Sequence, residues 1–517
     1  MKKTKRELLV LAAATTVALL MGVTVQAKGD EKVLNFGCQM YTDGCVNSAN
    51  DESSGWNAMR YGIAEALFKF DDNMEVIPWL AESYEVNDEH TEWTIKLKDG
   101  IKFSDGCDLT PTKVKEYFDH MKEVGPSGSA KPEKYLEFEA EVTVDDDANT
   151  INIKTSKPYA NLVGQLCHPT MGITDVEHIE NYDNGIIGTG PYKIESWDEG
   201  QAITLVKNED YFKGEPSIDK IVFKIVPDDN AKALQLKSGE LDLALLTPKD
   251  AAAFADDEAY TCYDMKTSDY RGIMFNFGNE YWQKNRDLIP AVCYGLDRQA
   301  IIDAVLLGQG MPAYGPLQRN IYNYEDVEHY DYNPEKSKEI LEAAGCEMGD
   351  DGFYYRDGEK VGFVISVSAG DQVRIDMAQI AAQELKEIGM DVSVEIPAQT
   401  DWAGQMAFLI GWGSPFDADD HTYKVFGTDK GANYSGYSNA DVDKYLTEAR
   451  QSADPEVRAE AYANFQKALA EDPAYAMICY IDANYVADSN IKGIDPDTIM
   501  GHHGVGIFWN VADWTIE

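Results

Sequence analysis

The amino-acid sequence predicts a mixed α/β (α+β) protein that is built from several domains. Its 517 residues are 44% hydrophobic and 26% charged, a balance that is typical of globular chains. Strand-like alternation and helix-like spacing both occur along the chain, which favours a mixed architecture. No Ser/Gly linker or internal repeat separates the segments, so we expect chain crossings to interleave the domains.

The first 27 residues have the pattern of a secretory signal peptide. Residues 2–6 are rich in lysine and arginine, an apolar run follows at 8–21, and small residues close the segment at 25–27. The apolar run is shorter than the roughly 20 residues that span a bilayer. Cys38 is the first cysteine, and it follows several charged residues, so we expect no lipid anchor. The sequence therefore predicts secretion to an extracytoplasmic location, in the periplasm or at the outer face of the cell envelope.

Net charge and cysteine content limit the possible partners. The formal charge of −45 makes nucleic acid and anionic lipid poor partners. Eight cysteines permit disulfides, and Cys38 and Cys45 are close enough in sequence for a local bridge, which this pattern leaves open. The absence of a CxxC pair argues against a structural zinc site.

Local patterns predict individual elements. Trp93, Ile95 and Leu97 alternate with polar residues and predict a half-buried strand, and acidic residues 145–149 predict a hairpin turn and not a calcium loop. Asn333-Pro334, closed by Gly345, and Asp454-Pro455 predict helix starts. Apolar spacing over 373–388 predicts another helix, and residues 392–396 a strand. The apolar stretch 406–412 predicts a buried strand.

Motifs for catalysis are missing from the sequence. There is no nucleophile elbow, no HExxH motif and no P-loop, so we predict no enzyme and no cofactor. The adjacent His502 and His503 would point to opposite faces of a strand, which makes joint metal binding awkward. We therefore expect no metal site.

Six motifs in order resemble one family, the extracellular solute-binding proteins, family 5, of peptide and nickel ABC importers. The most specific stretch is IPWLAES at 77–83 followed by WTIKLKDGIKFSDG at 93–106. The others are GTGPY at 188–192, NEDY at 208–211, GELD at 239–242, LDR at 296–298 and NYSGYSN at 433–439. The resemblance extends from about residue 34 to the C-terminus.

This resemblance implies a two-lobed clamp of the periplasmic-binding-protein type with an extra inserted domain. Residues 28–69, 186–285 and 488–517 would form a split domain I, residues 70–185 an inserted domain II, and residues 286–487 domain III, the second lobe. It also implies a monomer that delivers a small ligand to a membrane permease with its ATPase subunits. The ligand class that the resemblance favours is a short peptide.

Candidate ligand-binding residues follow from the same comparison, with the loop after Trp412 forming the second-lobe wall of the cleft. Trp412 and Phe416 would line the pocket, and Asp417 or Asp419 would bind an ammonium group, because the aspartate that family peptide binders carry three residues after this tryptophan is replaced by Pro415. Arg374 would bind a carboxylate, unless it forms a surface ion pair with Asp371, whereas Asp420 is expected to face solvent. Tyr41, Trp56 and Asn57 complete the candidate set.

Three alternatives stay open. The stretch after Trp412 is also similar to the nickel-binding branch, but residues 167–171 lack the arginine and residues 422–440 the histidine that this branch would use. An oligosaccharide binder is a further possibility because aromatic residues make up 11% of the chain. An exported hydrolase on a similar scaffold is the last, and no motif supports it.

Overall fold

The structure is a computed structural model that describes residues 31–38, 58–71, 75–124, 140–177, 186–198, 200–413, 418–497 and 506–517. The predicted signal peptide and the histidine pair at 502–503 lie outside these ranges. So do five candidate site residues, Tyr41, Trp56, Asn57, Phe416 and Asp417.

Strands are numbered here in chain order within the described residues. They are β1 (Val33–Cys38), β2 (Phe68–Phe70), β3 (Val76–Pro78), β4 (Ala81–Val86), β5 (Glu92–Leu97), β6 (Ala140–Asp145), β7 (Thr150–Thr155), β8 (Tyr192–Asp198), β9 (Ala202–Lys207), β10 (Lys220–Ile225), β11 (Leu243–Leu246), β12 (Tyr260–Phe275), β13 (Met311–Pro312), β14 (Glu347–Met348), β15 (Tyr354–Arg356), β16 (Glu359–Lys360), β17 (Val364–Ser366), β18 (Ser393–Glu395), β19 (Ala407–Trp412), β20 (Tyr475–Asp488), β21 (Ile491–Lys492) and β22 (Thr515–Ile516).

The α-helices are numbered in the same way. They are α1 (Pro111–Val124), α2 (Leu162–Gln165), α3 (Asp229–Ser238), α4 (Pro248–Ala251), α5 (Glu280–Asn285), α6 (Ile289–Tyr294), α7 (Arg298–Leu306), α8 (Pro334–Ala343), α9 (Gln372–Glu387), α10 (Ala418–Phe426), α11 (Ala440–Gln451) and α12 (Pro455–Glu471).

One large mixed sheet organises the molecule, with strand order β18-β17-β19-β12-β20-β11-β1-β10-β9-β8 and β13 paired to β20. A separate four-stranded sheet, β4-β5-β7-β6, packs against α1. We call lobe 1 the part that contains β1, β8–β11 and the four-stranded sheet. Lobe 2 is the part that contains β17–β19 and helices α5–α12.

The long strands β12 and β20 connect the two lobes. Residues 260–266 of β12 pair with β20 in lobe 1, residues 270–274 pair with it in lobe 2, and the register shifts in between, at residues 267–269. Thr267 donates its hydroxyl hydrogen to the carbonyl oxygen of Ile481 at 2.6 Å. Arg319 donates to the carbonyl oxygen of Thr267 at 2.7 Å and to Asp482 at 2.6 Å. This interrupted pair of strands is the crossing between the lobes.

Separate apolar cores stabilise the parts of the molecule. One lies on lobe 1 around Leu34, Phe223 and Trp514, and a second lies under the four-stranded sheet around Trp93 and Tyr117. Lobe 2 has a core on each face of its sheet. The mixed α/β architecture with an inserted domain is as predicted, whereas the domain boundaries stay predictions.

Several local predictions are confirmed. β5 buries alternate residues, and β6 and β7 form the hairpin whose turn is at 146–149. Asn333 caps α8 by accepting a hydrogen bond from the backbone N–H of Lys336, and Asp454 caps α12 in the same manner. All six residues of β19 are buried, as their apolar character predicts. These elements could be predicted because the spacing of apolar residues along the sequence indicates which side chains are buried.

The described cysteines are free thiols. Cys38 is buried and donates to the carbonyl oxygen of Lys224 at 3.3 Å, so the possible bridge between Cys38 and Cys45 is not formed. Burial raises the pKa of the Cys38 thiol to about 11. No helix in the described ranges has the length and apolar character needed to cross a membrane.

Candidate ligand-binding site

The candidate site lies where two parallel strands of lobe 2 end. β17 pairs in parallel with β19, with Ser366 opposite Phe408, so both strands run toward the same edge of the sheet and β19 continues beyond β17 to Trp412. α9 begins at this edge, where Asp371 accepts a hydrogen bond from the backbone N–H of Arg374 at 3.0 Å. Ligands commonly bind at the carboxyl ends of parallel strands.

Two guanidinium groups converge over Gly411 in β19. A Cβ atom at Gly411 would lie 2.4 Å from Nη1 of Arg271 and 2.8 Å from Nη2 of Arg374. Both distances are shorter than those of real Cβ contacts, so a side chain at this position would require the ends of the two arginine side chains to move. The groups come from separate elements, since Arg271 lies on β12 opposite Gly411 and Arg374 in the first turn of α9.

Arg271 is buried with few partners. Its residue is 7% exposed, its Nη1 donates to the carbonyl oxygen of Tyr270 at 3.1 Å, and its Nε has no hydrogen-bond acceptor. Among the described residues no carboxylate forms an ion pair with it. A buried charge is costly unless it is paired, so this environment favours an anion at the site.

Arg374 forms the ion pair that the sequence offered as an alternative to ligand binding. Its Nε lies 3.1 Å from Oδ2 of Asp371. The side chain is only 13% exposed, however, so the pair is not a surface pair. The geometry leaves the guanidinium beside Arg271, and ligand binding by Arg374 stays a proposal.

Trp412 belongs largely to the apolar core of lobe 2. It is 8% exposed and stacks on Tyr434 with ring centres 5.9 Å apart. These contacts fix the indole at the end of β19. Trp412 therefore anchors the end of β19, just before residues 414–417, which lie outside the described ranges.

Asp419 lies in the first turn of α10 and is bound by an arginine. Arg450 donates to both of its carboxylate oxygens, at 2.9 Å from Nε to Oδ1 and 2.7 Å from Nη2 to Oδ2. The guanidinium also stacks on Tyr423 at 3.5 Å. This bidentate pair competes with the predicted role of Asp419 as the partner of a ligand ammonium group.

The expectation that Asp420 faces solvent is wrong. Asp420 is 5% exposed, and its Oδ1 lies 3.3 Å from Nζ of Lys424 and 3.9 Å from Nε2 of His168. His168 belongs to lobe 1, where it follows α2. Contact between the lobes therefore contributes to the burial of Asp420, which a pattern of local residues could not reveal.

The lobes touch each other through polar and aromatic groups. Besides the approach of His168 to Asp420, the guanidinium of Arg450 in lobe 2 lies 5.7 Å from the ring centre of Tyr159 in lobe 1. Burial lowers the pKa of His168 to about 3; Asp420 acts in the opposite direction, and Lys424 adds to the lowering. The imidazole is therefore neutral in this arrangement.

One group of residues in lobe 1 has the spacing of metal ligands. Asp105, Cys107 and Asp175 place ligand atoms within 4.8 Å of one another. Asp175 is already bound by Lys113 at 2.9 Å, and the other two residues are exposed. The arrangement does not favour a metal ion, because the buried carboxylate of Asp175 is already paired with the ammonium group of Lys113.

Sequence reasoning did not find Arg271, His168, Tyr159 or Arg450. One signal was available, because Gly411 interrupts an apolar strand and a glycine in a strand interior often marks a close approach. The approaching groups come from residues far away in sequence, so the pattern could not identify them.

A comparison of the chain with protein families identifies it. Residues 75–434 match the model of bacterial extracellular solute-binding proteins, family 5. The chain belongs to this family. The resemblance stated from the motifs is thus confirmed, and so is the solute-binding role of this family 5 protein. Members of the family are substrate-binding proteins and not enzymes, and they are extracytoplasmic.

Relatives of this family 5 protein have been named for different ligands. The oligopeptide-binding protein AppA of Bacillus subtilis is 30% identical over 496 residues, which cover 90% of this chain and 88% of AppA. The structure of NikZ from Campylobacter jejuni in complex with Ni(L-His) has a TM-score of 0.85 at 28% identity and covers 93% of this chain and 99% of NikZ. AppA of Bacillus subtilis in complex with a nonapeptide has a TM-score of 0.77 at 26% identity, covering 94% and 99%. These likenesses confirm the two-lobed fold.

Proposed function

We propose that this family 5 protein captures a short peptide by closing its lobes and delivers it to the membrane permease of an ABC importer. The observation that carries the proposal is the contact between the lobes, in which His168 approaches Asp420 and Arg450 lies near the ring of Tyr159. In lobe 2, Arg271 of β12 and Arg374 in the first turn of α9 converge over Gly411. Such a closed arrangement encloses a ligand and presents one surface to a partner.

The proposal extends to residues outside the described ranges. Asp417 is the proposed partner of the peptide's ammonium group, because Asp419 is held by Arg450. Phe416, Tyr41, Trp56 and Asn57 are proposed to line the cleft. We also propose that residues 1–27 direct secretion, that no lipid anchor is attached, and that the mature protein is a monomer without catalytic activity.

Capture of a nickel chelate is the second candidate. The observation that favours it is the pair of guanidinium groups, since the carboxylates of a metal-bound amino acid would fit the same site as a peptide carboxylate. The sequence argued against this ligand because residues 167–171 lack an arginine. Arg271 and Arg374 would supply that charge from the other lobe.

Native mass spectrometry of the purified protein distinguishes the candidates. A clamp that is closed on its ligand releases it slowly, so the ligand is expected to co-purify. Added masses of short peptides would support the first proposal, and a nickel isotope pattern with amino-acid masses would support the second. A protein that carries neither, and that binds neither on titration with a peptide mixture or with Ni(II) and L-histidine, would contradict both.

A further inference from the structure

We propose that lobe 2 contains a second ligand site, a cavity that binds a small aromatic carboxylate through Arg298. The cavity has a volume of about 200 Å³. All the residues that line it lie between 293 and 477 in lobe 2, so it is separate from the cleft between the lobes. The inference is therefore independent of which solute the clamp captures.

The size of the cavity limits its ligand to a molecule with one ring. A dry cavity of roughly 150 Å³ admits benzene, whereas pockets for drug-sized ligands measure roughly 300–1,000 Å³. Most of the walls come from the segment 314–330 after β13, from the end of α12 and from the start of β20. A molecule of the size of benzoate fits a space of this volume.

The guanidinium group of Arg298 provides the cavity with a buried positive charge. The residue is 4% exposed and lines the cavity. No described acid forms an ion pair with it, and Asp331 and Glu384 act on it only from a longer distance. Glu325 also lines the cavity, but it is exposed, and solvent screens its charge. A buried charge is costly unless it is paired, so this environment favours an anion.

Backbone carbonyl groups bind one part of this guanidinium and leave another part without a partner. Nε donates to the carbonyl oxygens of Ala313 and Met477, at 3.1 and 2.9 Å. Nη1 donates to the carbonyl oxygen of Tyr330 at 2.8 Å and to two others. Nη2 of Arg298 has no acceptor among the described residues. Its two N–H groups suit the oxygens of a carboxylate.

The apolar part of the lining suits an aromatic ring. Met311, Met477 and Tyr330 line the cavity together with Leu469 and Pro473. Thioether sulfurs and aromatic rings both make favourable contacts with an aromatic ligand. A ring that carries one acidic group therefore matches both the apolar and the cationic part of the lining.

NMR of the methionine methyl groups tests the inference at the cavity itself. Met311 and Met477 line the cavity, whereas Met121 lies in the core under the four-stranded sheet of lobe 1. In protein labelled with ¹³C at these methyl groups, benzoate is expected to shift the resonances of Met311 and Met477 and not that of Met121. The dissociation constant is expected to lie between about 1 μM and 1 mM, as for other ligands of this size. Met311→Leu and Met477→Leu assign the resonances.

Benzamide is the matched probe that lacks the charge. The wild type is expected to bind benzoate about 10- to 100-fold more tightly than benzamide, the range for a hydrogen bond to a charged group. Equal affinities for the two probes would overturn the role of Arg298.

A variant that fills the cavity provides the second test and leaves Arg298 in place, because this arginine also holds backbone carbonyl groups. Ala470→Trp places an indole in the cavity from α12 and is expected to abolish the shifts that benzoate causes. Ala343→Trp, at an exposed position of α8, is the control and is expected to keep them.

Three other results would overturn the inference. Absence of both shifts in the wild type at about 10 mM benzoate, well above the expected dissociation constant, would mean that water alone fills the cavity. Displacement of benzoate by the co-purified ligand would place benzoate in the cleft, and shifts that persist in a folded Ala470→Trp would place it elsewhere. Should Ala470→Trp fail to fold, the wild-type shifts and the competition experiment decide.

Discussion

At the scale of single residues, the junction between the lobes is governed by the matching of buried charges. Asp419 is bound by Arg450 and Asp420 by Lys424, and each pair would be costly to break because one charge would stay behind in a dry environment. Arg271 is the contrasting case, because no carboxylate among the described residues forms an ion pair with it.

Glu65 in lobe 1 gives a prediction at the same scale. The hydroxyl of Tyr211 and the indole N–H of Trp79 donate to its Oε1 at 2.7 and 2.8 Å, while its buried Oε2 has no partner. Burial raises the pKa of Glu65 to about 7, and the two hydrogen bonds oppose the rise. The folded protein therefore binds more protons than the unfolded chain between pH 4.5 and 7, so its free energy of unfolding falls as pH rises through that window.

Glu65→Gln is expected to remove this loss of stability, which amounts to on the order of 3 kcal/mol at pH 8. Chemical denaturation at pH 4.5 and pH 8 measures it, with the exposed Glu85→Gln as the control. The free energy of unfolding of Glu65→Gln should exceed that of the wild type at pH 8 and not at pH 4.5. An equal change at both pH values would contradict the account.

At the scale of elements, β19 positions the candidate site. Gly411 is the residue of this strand at which we expect a substitution to affect ligand binding most. Gly411→Ala is expected to weaken ligand binding about tenfold or more, because the methyl group would displace the guanidinium groups of Arg271 and Arg374 without altering any charge. Gly315→Ala in lobe 2 is the control, since nothing lies within 4 Å of a Cβ there. Titration with the co-purified ligand measures both. Unchanged affinity in Gly411→Ala would contradict the placement of the site.

Elements were also what the sequence predicted best. The apolar run that became β19, the caps Asn333 and Asp454, and the hairpin at 146–149 were all found, because local spacing reports burial and turn chemistry. The site was found only in part. Arg271, Arg374 and Gly411 become neighbours through tertiary packing, and the burial of Asp420 depends on the opposite lobe.

At the scale of the whole molecule, we expect closure of the lobes to be sensitive to the charge of His168, which approaches Asp420 of the opposite lobe. Its pKa of about 3 in the closed form lies below the ordinary value of 6.5, so the closed form holds the neutral imidazole. Closure is fully favoured above pH 6.5 and weakens as the pH falls below it, because the imidazole must lose its proton to be buried. Asp420 and Lys424 are the charged groups that influence it.

Ligand affinity of the wild type is accordingly expected to fall as pH decreases from 6.5 to 5, by up to about tenfold per pH unit. His168→Asn should show a flatter profile over the same range. His421, whose pKa burial also lowers, is present in both proteins and cancels in the comparison. Titrations at pH 5, 5.75, 6.5 and 7.5 measure the profiles, and parallel profiles would refute the role of His168.

Small-angle X-ray scattering on one preparation tests the clamp itself most directly. The protein is unfolded to remove its ligand, refolded, and measured before and after the co-purified ligand is returned. If the lobes close about the crossing at 267–269, the ligand-bound protein is expected to have a smaller radius of gyration and a smaller maximum dimension. Its molecular mass should not change. Identical scattering curves for the two states, at a ligand concentration that calorimetry shows to be saturating, would contradict capture by lobe closure.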